Sequence, residues 1–176
     1  MAINTDYVGR TYEPSEPYEV SRVKIAEFAT AIGEPSPLCR DREAAQAAGY
    51  PDVIAPPTFA IVISSASGAK ITSDPGLGVN YAMIVHGEQS FTHSRPLHAG
   101  DVVVAQSTIS SIRKIRNLTT LGTVTEIRTV HGEHVCMARS VLVERGAYRG
   151  SDDRPRLRRH RGGHRDPAPA VPPHPA

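Results

Sequence analysis

The stretch Thr58-Phe59-Ala60-Ile61-Val62-Ile63-Ser64-Ser65-Ala66-Ser67-Gly68-Ala69-Lys70 decides the fold of this chain. If it is helical, its apolar residues lie around most of the helix rather than in one stripe. A helix that is apolar on most sides is normally enclosed by other elements. The stretch therefore predicts a central, buried helix around which the other elements are arranged.

Four long strands are predicted after this helix, at Val79–His93, Asp101–Ile115, Asn117–Val130 and Glu133–Glu144. Apolar and polar residues partly alternate along them, as is typical of strands with one buried face. The pair His131-Gly132 predicts a tight turn between the last two, which would make them antiparallel neighbours. The fold class is accordingly α+β, an antiparallel sheet wrapped around one buried helix.

Two further helices are predicted before the central one. Ser21 stands at an N-cap position, and Gly33 supplies a left-handed stop after a run with helical spacing. The apolar members of that run are Ile25, Phe28, Ala29 and Ile32. Residues 41–48 form a short Ala-rich second helix, and the prolines at 35 and 37 keep the connection between the two helices extended.

The composition indicates one domain and a tail. Residues 1–146 are sufficient for a single domain with its own core, whereas residues 147–176 are rich in Arg, Pro and Gly and have too few large apolar side chains to fold. The tail holds seven Arg and three Asp, so the chain's net charge of +2 leaves about −2 on residues 1–146. This balance makes a nucleic-acid-binding face on the folded part unexpected, and the tail is interpreted as a disordered, solubilising extension.

Cys39 and Cys136 have no paired spacing, which favours a reducing compartment over a disulfide scaffold. The N-terminus lacks the charged and apolar regions of a signal peptide, and the apolar runs are too short to span a membrane. A cytoplasmic location without membrane association is expected.

Three local patterns resemble the MaoC-like family of hot-dog (R)-specific enoyl thioester hydratases and dehydratases. They are Gly33-Glu34-Pro35-Ser36-Pro37-Leu38-Cys39, Ile54-Ala55-Pro56-Pro57-Thr58-Phe59, and the segment 86–101, which contains Gln89-Ser90-Phe91 and Arg95-Pro96 followed by Gly100-Asp101. The resemblance covers roughly residues 1–145 and implies a single hot-dog fold. It is greatest for the actinobacterial accessory subunits of (3R)-hydroxyacyl-ACP dehydratases.

In the catalytic members the first pattern reads Gly-Asp-x-Asn-Pro-hydrophobic-His, and the Asp and His supply the acid and base for adding or removing water. Here Glu34 occupies the Asp position, Ser36 the Asn position and Cys39 the His position. A thiol with a reference pKa of ~8.5 does not exchange protons at neutral pH as imidazole does. The catalytic dyad, Glu34 and Cys39, is therefore interpreted as degenerate.

The second pattern also differs from that of the catalytic members, again at a position that they use for the reaction. Catalytic members have His-Gly at the mouth of the central helix, where the glycine amide is thought to polarise the thioester carbonyl. A gap-free placement puts Pro56-Pro57 there, and proline has no N–H to donate.

The resemblance implies a subunit that binds the acyl chain of acyl-CoA or an acyl-carrier protein, while a MaoC-like partner supplies the Asp and His. Its substrate-binding candidates are Ser36, Pro57, Phe59, Val62 and Ala66. Two alternatives stay open: an acyl-thioester-binding homodimer without catalysis, and a self-sufficient hydratase that uses Glu34. A hot-dog thioesterase is disfavoured because residues 58–70 contain no Asp or Glu.

No cofactor or metal is expected. The densest group of metal-binding residue types is His131, His134 and Cys136, but residues 131 and 134 would point to opposite faces of a strand.

Overall fold

The computed structural model describes residues 3–145. Three α-helices are present, at Arg22–Ala31 (α1), Arg42–Ala47 (α2) and Ala60–Thr72 (α3). Five strands are present, at Tyr18–Glu19 (β1), Ile84–His93 (β2), Val102–Ile115 (β3), Leu118–Thr129 (β4) and His134–Arg145 (β5). Short 3-10 turns occupy Thr5–Tyr7, Pro37–Cys39, Pro57–Phe59 and Tyr81–Met83.

The strands form one antiparallel sheet in the order β1-β3-β4-β5-β2. The sheet curls around α3, so the predicted α+β class and hot-dog architecture are confirmed. The long strands begin and end within a few residues of their predicted bounds, except that residues 79–83 form a loop and a 3-10 turn before β2.

Helix α1 begins and ends as its sequence predicts. The Ser21 hydroxyl accepts a hydrogen bond from the Lys24 amide, and Gly33 adopts a φ of 70° just beyond the C-terminus. Ile25 and Ala29 are fully buried, whereas Ile32 caps the helix and is half exposed. One face of α1 therefore packs on the core that surrounds the start of α3.

Helix α3 is central, but the sheet covers only part of it. Ala60, Ile63, Ser64, Ser67 and Ile71 are buried. In contrast to the prediction of an enclosed helix, Ser65, Ala66 and Ala69 are exposed. The open side of α3 consists largely of small residues, which expose little apolar surface to solvent.

Three buried hydroxyl groups connect α3 to the sheet. Ser67 Oγ donates to the Ala105 carbonyl at 3.3 Å, and Ser107 Oγ donates to Ser67 Oγ at 2.8 Å. Because the Ser107 proton is used in that bond, the 2.7 Å contact between Ser107 and Thr125 requires Thr125 Oγ1 to be the donor. These bonds fix the position of α3 on β3 and β4.

The described residues contain no helix that is long and apolar enough to cross a membrane. The predicted tail at 147–176 lies outside the described residues.

Asp52 ties α1 to the segment that leads into α3. Its carboxylate accepts two hydrogen bonds from the Arg22 guanidinium, at 2.9 and 2.6 Å, and one from the Val53 amide at 2.8 Å. The bonds from Arg22 hold the pKa of Asp52 at about 2. Since this value lies below the unfolded pKa of ~3.9, the stability that Asp52 contributes is fully present above about pH 4 and is lost as the pH falls toward 2.

We predict that Asp52→Asn lowers the free energy of unfolding by about 1–2 kcal/mol at pH 7, after allowance for the solvent around Arg22. The difference from the unmodified protein should narrow as the pH falls from about 4 toward 2. Urea unfolding, followed by circular dichroism at several pH values, measures the free energy of unfolding of each protein and its change with pH. Glu27→Gln is the matched control, because Glu27 pairs with Lys24 on the exposed surface and should contribute little. A loss of unfolding free energy in Asp52→Asn that stays constant with pH would contradict the low pKa of Asp52.

Candidate functional site

The turn after α1 brings Glu34, Ser36 and Cys39 together. Glu34 Oε1 accepts a hydrogen bond from the Ser36 amide at 2.9 Å, and the Ser36 hydroxyl accepts one from the Leu38 amide at 3.3 Å. Arg40 donates from Nη1 to the Glu34 carbonyl at 2.5 Å. Glu34 and Ser36 thus stabilise the turn itself, with Glu34 partly exposed and its second carboxylate oxygen not used in these bonds.

Cys39 lies at the end of this turn and faces inward. Its side chain is 3% exposed and belongs to the apolar core that includes Phe59 and Ile25. Burial raises the pKa of the Cys39 thiol, and the nearby Glu34 carboxylate raises it further. A buried, protonated thiol cannot act as the base of a hydration reaction at neutral pH.

The mouth of α3 is held between the Cys39 turn and the segment after β2. The Ile54 amide donates to the Leu38 carbonyl at 3.0 Å, and the Ala55 amide donates to the Leu97 carbonyl at 2.8 Å. Pro57 then begins the 3-10 turn that leads into α3. Phe59 is fully buried, and its ring meets that of Phe28 edge-on with centroids 5.3 Å apart. The sequence thus places an exposed proline at the mouth and an aromatic anchor directly behind it.

His93, at the end of β2, is also at this mouth. Its Nε2 lies 2.9 Å from the Pro57 carbonyl and 3.8 Å from Cys136 Sγ. A carbonyl oxygen only accepts, so Nε2 carries a proton and donates a hydrogen bond to Pro57. Nδ1 is buried and has no partner among residues 3–145. His93 is not among the site residues predicted from the sequence, because the chain folding that brings residue 57 beside residue 93 is not visible in the sequence.

Cys136, which lies beside His93, is fully buried, and burial raises the pKa of its thiol to about 11. The thiol is therefore protonated at neutral pH and does not form a thiolate with His93.

A cavity of about 380 Å³ lies between α3 and the concave face of the sheet. The helix contributes Ile61, Ser64, Ser65, Gly68, Ala69, Ile71 and Thr72, and the sheet side contributes Tyr81, Ile84, His86, Gln89, Leu121, Thr123, Thr125, Ala138, Ser140 and Leu142. Its volume is within the range of sites for small molecules and acyl groups. Many of the lining groups are hydroxyls or amides, so the cavity is only partly apolar.

The predicted acyl-binding residues lie on other faces of α3. Phe59 and Val62 pack in the core around the helix mouth, Ala66 is exposed, and none of the three lines the cavity. Their contact with an acyl chain stays a prediction, as does that of Ser36 and Pro57. The sequence could not separate these faces because the helix is apolar on most sides.

Arg95 fixes the turn between β2 and β3. It forms a bidentate pair with Asp101, at 2.8 and 2.9 Å, and its Nε donates to Glu133 at 2.8 Å. These bonds raise the pKa of Arg95 and lower that of Glu133. The pair of Arg95 and Asp101 therefore has a structural role.

Among the described residues, no group of three or more His, Cys, Asp or Glu side chains is arranged to hold a metal ion. His134 instead contacts Ser94 Oγ at 2.7 Å and Glu126 at 2.9 Å.

The fold is that of MaoC-like hot-dog dehydratases. A MaoC-like dehydratase superposes with a TM-score of 0.74 and 28% identity over 80% of this chain, which corresponds to 43% of that longer chain. The C-terminally truncated HadBC complex, a (3R)-hydroxyacyl-ACP dehydratase of Mycobacterium tuberculosis, gives a TM-score of 0.72 and 27% identity, covering 79% of this chain and 98% of the other.

Proteins related in sequence, and a family model, identify the family to which this chain belongs. A UPF0336 protein of Thermobifida fusca is 51% identical over 146 residues, 83% of this chain and 96% of the relative. A UPF0336 protein of Streptomyces avermitilis is 45% identical over 150 residues, 85% of this chain and 100% of the relative. Residues 6–138 match the family described as FAS1-like, dehydratase domain region, and the chain belongs to that family.

We predict that neither cysteine reacts readily with a thiol reagent in the folded protein, because both are buried and burial raises both pKa values. Labelling with a chromogenic disulfide at pH 7 should be slow, and it should become fast for both thiols in urea. The single variants Cys39→Ala and Cys136→Ala assign each site. Fast labelling of Cys39 under native conditions would contradict its placement in the core.

Proposed function

We propose that this chain is the acyl-chain-binding subunit of a heteromeric (3R)-hydroxyacyl thioester dehydratase, in which a MaoC-like partner subunit carries the catalytic Asp and His. The observation that carries this proposal is the buried Cys39 thiol at the position where catalytic members have histidine. The raised pKa keeps this thiol protonated at neutral pH, so it is not available as a base, and at 3% exposure it is not accessible to a substrate.

Pro57 supports the same division of roles. A donor at the mouth of the central helix would stabilise negative charge on the thioester oxygen as it develops in the transition state. Proline lacks this N–H, so residue 57 cannot contribute it. Both the base and the amide donor would come from the partner.

Strand β2 offers a surface for such a partner. It lies at the edge of the sheet and pairs only with β5 among the described residues. Its ten residues, Ile84–His93, present unpaired backbone groups on the other side, and such an edge readily accepts a strand from another subunit. The HadBC structure is a complex of subunits, as is that of ChsH1–ChsH2, which shares the fold.

The cavity beside α3 supports an acyl-binding role. Neither Glu34 nor Cys39 lines this cavity, so acyl binding there would not depend on the degenerate dyad. An acyl-CoA or an acyl-carrier-protein thioester would place its chain along α3 and its thioester near Pro57.

We predict that the purified chain alone does not hydrate crotonyl-CoA, and that co-expression with a MaoC-like subunit carrying the intact Gly-Asp-x-Asn-Pro-x-His motif restores turnover. Loss of absorbance of the enoyl thioester measures the rate. Glu34→Gln should leave the rate of the complex within about twofold, since its chemistry comes from the partner, whereas replacing the partner's histidine should abolish it.

Robust turnover by the isolated chain that disappears in Glu34→Gln would instead establish a self-sufficient hydratase. Native mass spectrometry tests the pairing directly. A stable homodimer that binds acyl-CoA and ignores every MaoC-like subunit would establish a binding protein without catalysis.

A further inference from the structure

The sheet wall of the cavity consists of ordered rows of side chains. Because the strands are antiparallel and their register is defined, residues on β4, β5 and β2 that face one another form rows across the sheet. One row is Thr125, Ala138 and Phe91, the next is Thr123, Ser140 and Gln89, and the third is Leu121, Leu142 and His86. The first row is nearest to His93 and thus to the mouth of α3.

The middle row is a polar band across the cavity. It places a hydroxyl from β4, a hydroxyl from β5 and an amide from β2 side by side, and all three residues line the cavity. The rows on either side contribute the apolar side chains of Ala138, Leu121 and Leu142. They also contribute Thr125 and His86, whose polar atoms already have partners in Ser107 and Ser140. Gln89 precedes His93 by four residues along β2, so the band lies about 13 Å from the mouth.

A β-bulge brings Gln89 into the cavity. His86 and Gln89 are three residues apart and would point to opposite faces of a regular strand. The register of β2 on β5 shifts at Gly87, between His86 and Glu88, so both side chains face the cavity. A side chain at Gly87 would meet Val143 Cγ2 at 3.0 Å and the Val141 carbonyl at 3.2 Å, which favours glycine at the bulge.

The Gln89 amide has hydrogen-bonding capacity that the protein does not use. Its Nε2 is buried and has no acceptor among residues 3–145. Ser140 Oγ, the neighbour in the row, is paired with His86 Nε2 at 3.1 Å and does not satisfy it. A buried amide donor without an acceptor is costly, and native proteins retain few of them. A saturated alkyl chain in the cavity would leave that cost in place, whereas an oxygen atom on the chain would remove it.

We propose that this cavity selects acyl chains that carry a hydroxyl or keto oxygen within the chain, well beyond the thioester, with Gln89 as the donor to that oxygen. This inference rests on the proposed acyl-binding role and names the substrate class. Gln89 lines the cavity, and the broad torsion of its terminal amide lets the N–H turn toward the ligand oxygen. The apolar side chains of Ala138, Leu121 and Leu142 in the rows on either side contact the methylene groups before and after that oxygen.

The test compares acyl-CoAs of one chain length by isothermal titration calorimetry, using the full chain both alone and in the complex that restores turnover. One ligand is unsubstituted, and the others carry a single hydroxyl group at successive carbons. We expect the unmodified protein to bind one hydroxyl isomer roughly two- to tenfold more tightly than the unsubstituted chain, the gain of one net hydrogen bond. Gln89→Leu should abolish that advantage and bind the unsubstituted chain at least as well as before.

Ser90→Ala is the matched control, because Ser90 is exposed and points to the opposite face of β2. It should leave the preference unchanged. Equal affinity for all isomers would overturn the inference and indicate that a bound water satisfies the amide. A preference that survives in Gln89→Leu would also overturn it and assign the hydrogen bond to another group of the cavity. An equal loss of affinity for acetyl-CoA in Gln89→Leu would also overturn it and assign the polar band to the pantetheine arm.

The same experiment separates this inference from the role on which it rests. Binding of acyl-CoAs without a hydroxyl preference overturns the selectivity alone. Binding of no acyl-CoA by the folded chain or by the complex overturns the acyl-binding role and the selectivity together.

Discussion

The chain of hydroxyl groups from Thr125 through Ser107 to Ser67 sets the geometry on which the rest of the structure depends. It fixes helix α3 against β3 and β4 at the point where the two would otherwise be held by small residues alone. The position of α3 in turn determines where Pro57 lies and how wide the cavity is. Buried hydroxyls whose bonds are all made give a unique arrangement that apolar contacts of similar area do not.

The architecture was largely predictable because its signals are local. The cap at Ser21, the stop at Gly33 and the turn at His131-Gly132 each act through a few neighbouring residues, and the structure confirms all three. The break after α1 at residues 33–39 was also located correctly, but only its first part is extended, because Pro37 begins a 3-10 turn that runs to Cys39.

The cavity was not predictable for two physical reasons. An α-helix that is apolar on most sides gives no indication of which face is open, so Phe59 and Val62 could not be distinguished from Ile61 and Ser64. The place of Gln89 depends on a bulge at Gly87, which reverses the alternation that a strand sequence implies. His93 reaches the mouth of α3 only through long-range folding. Each of these depends on contacts between segments far apart in sequence.

The proposed role would make this chain a fold that has outlasted its chemistry. A thiol at residue 39 costs little to bury in the core, and Pro57 stiffens the start of α3. Both residues suit a stable fold and are poorly suited to acid–base catalysis. Under the proposed division of roles, this chain would keep the cavity while the partner supplies the reacting groups.

The unpaired edge of β2 has a consequence for how the protein is made. Among residues 3–145, β2 is a ten-residue strand with one open side, and such an edge is a template for unwanted association until another chain covers it. We therefore expect a cell to benefit from synthesising this chain in step with whatever chain covers that edge, and to lose surplus copies to proteolysis or precipitation. Stoichiometric supply, and not only affinity, would then determine how much functional assembly forms.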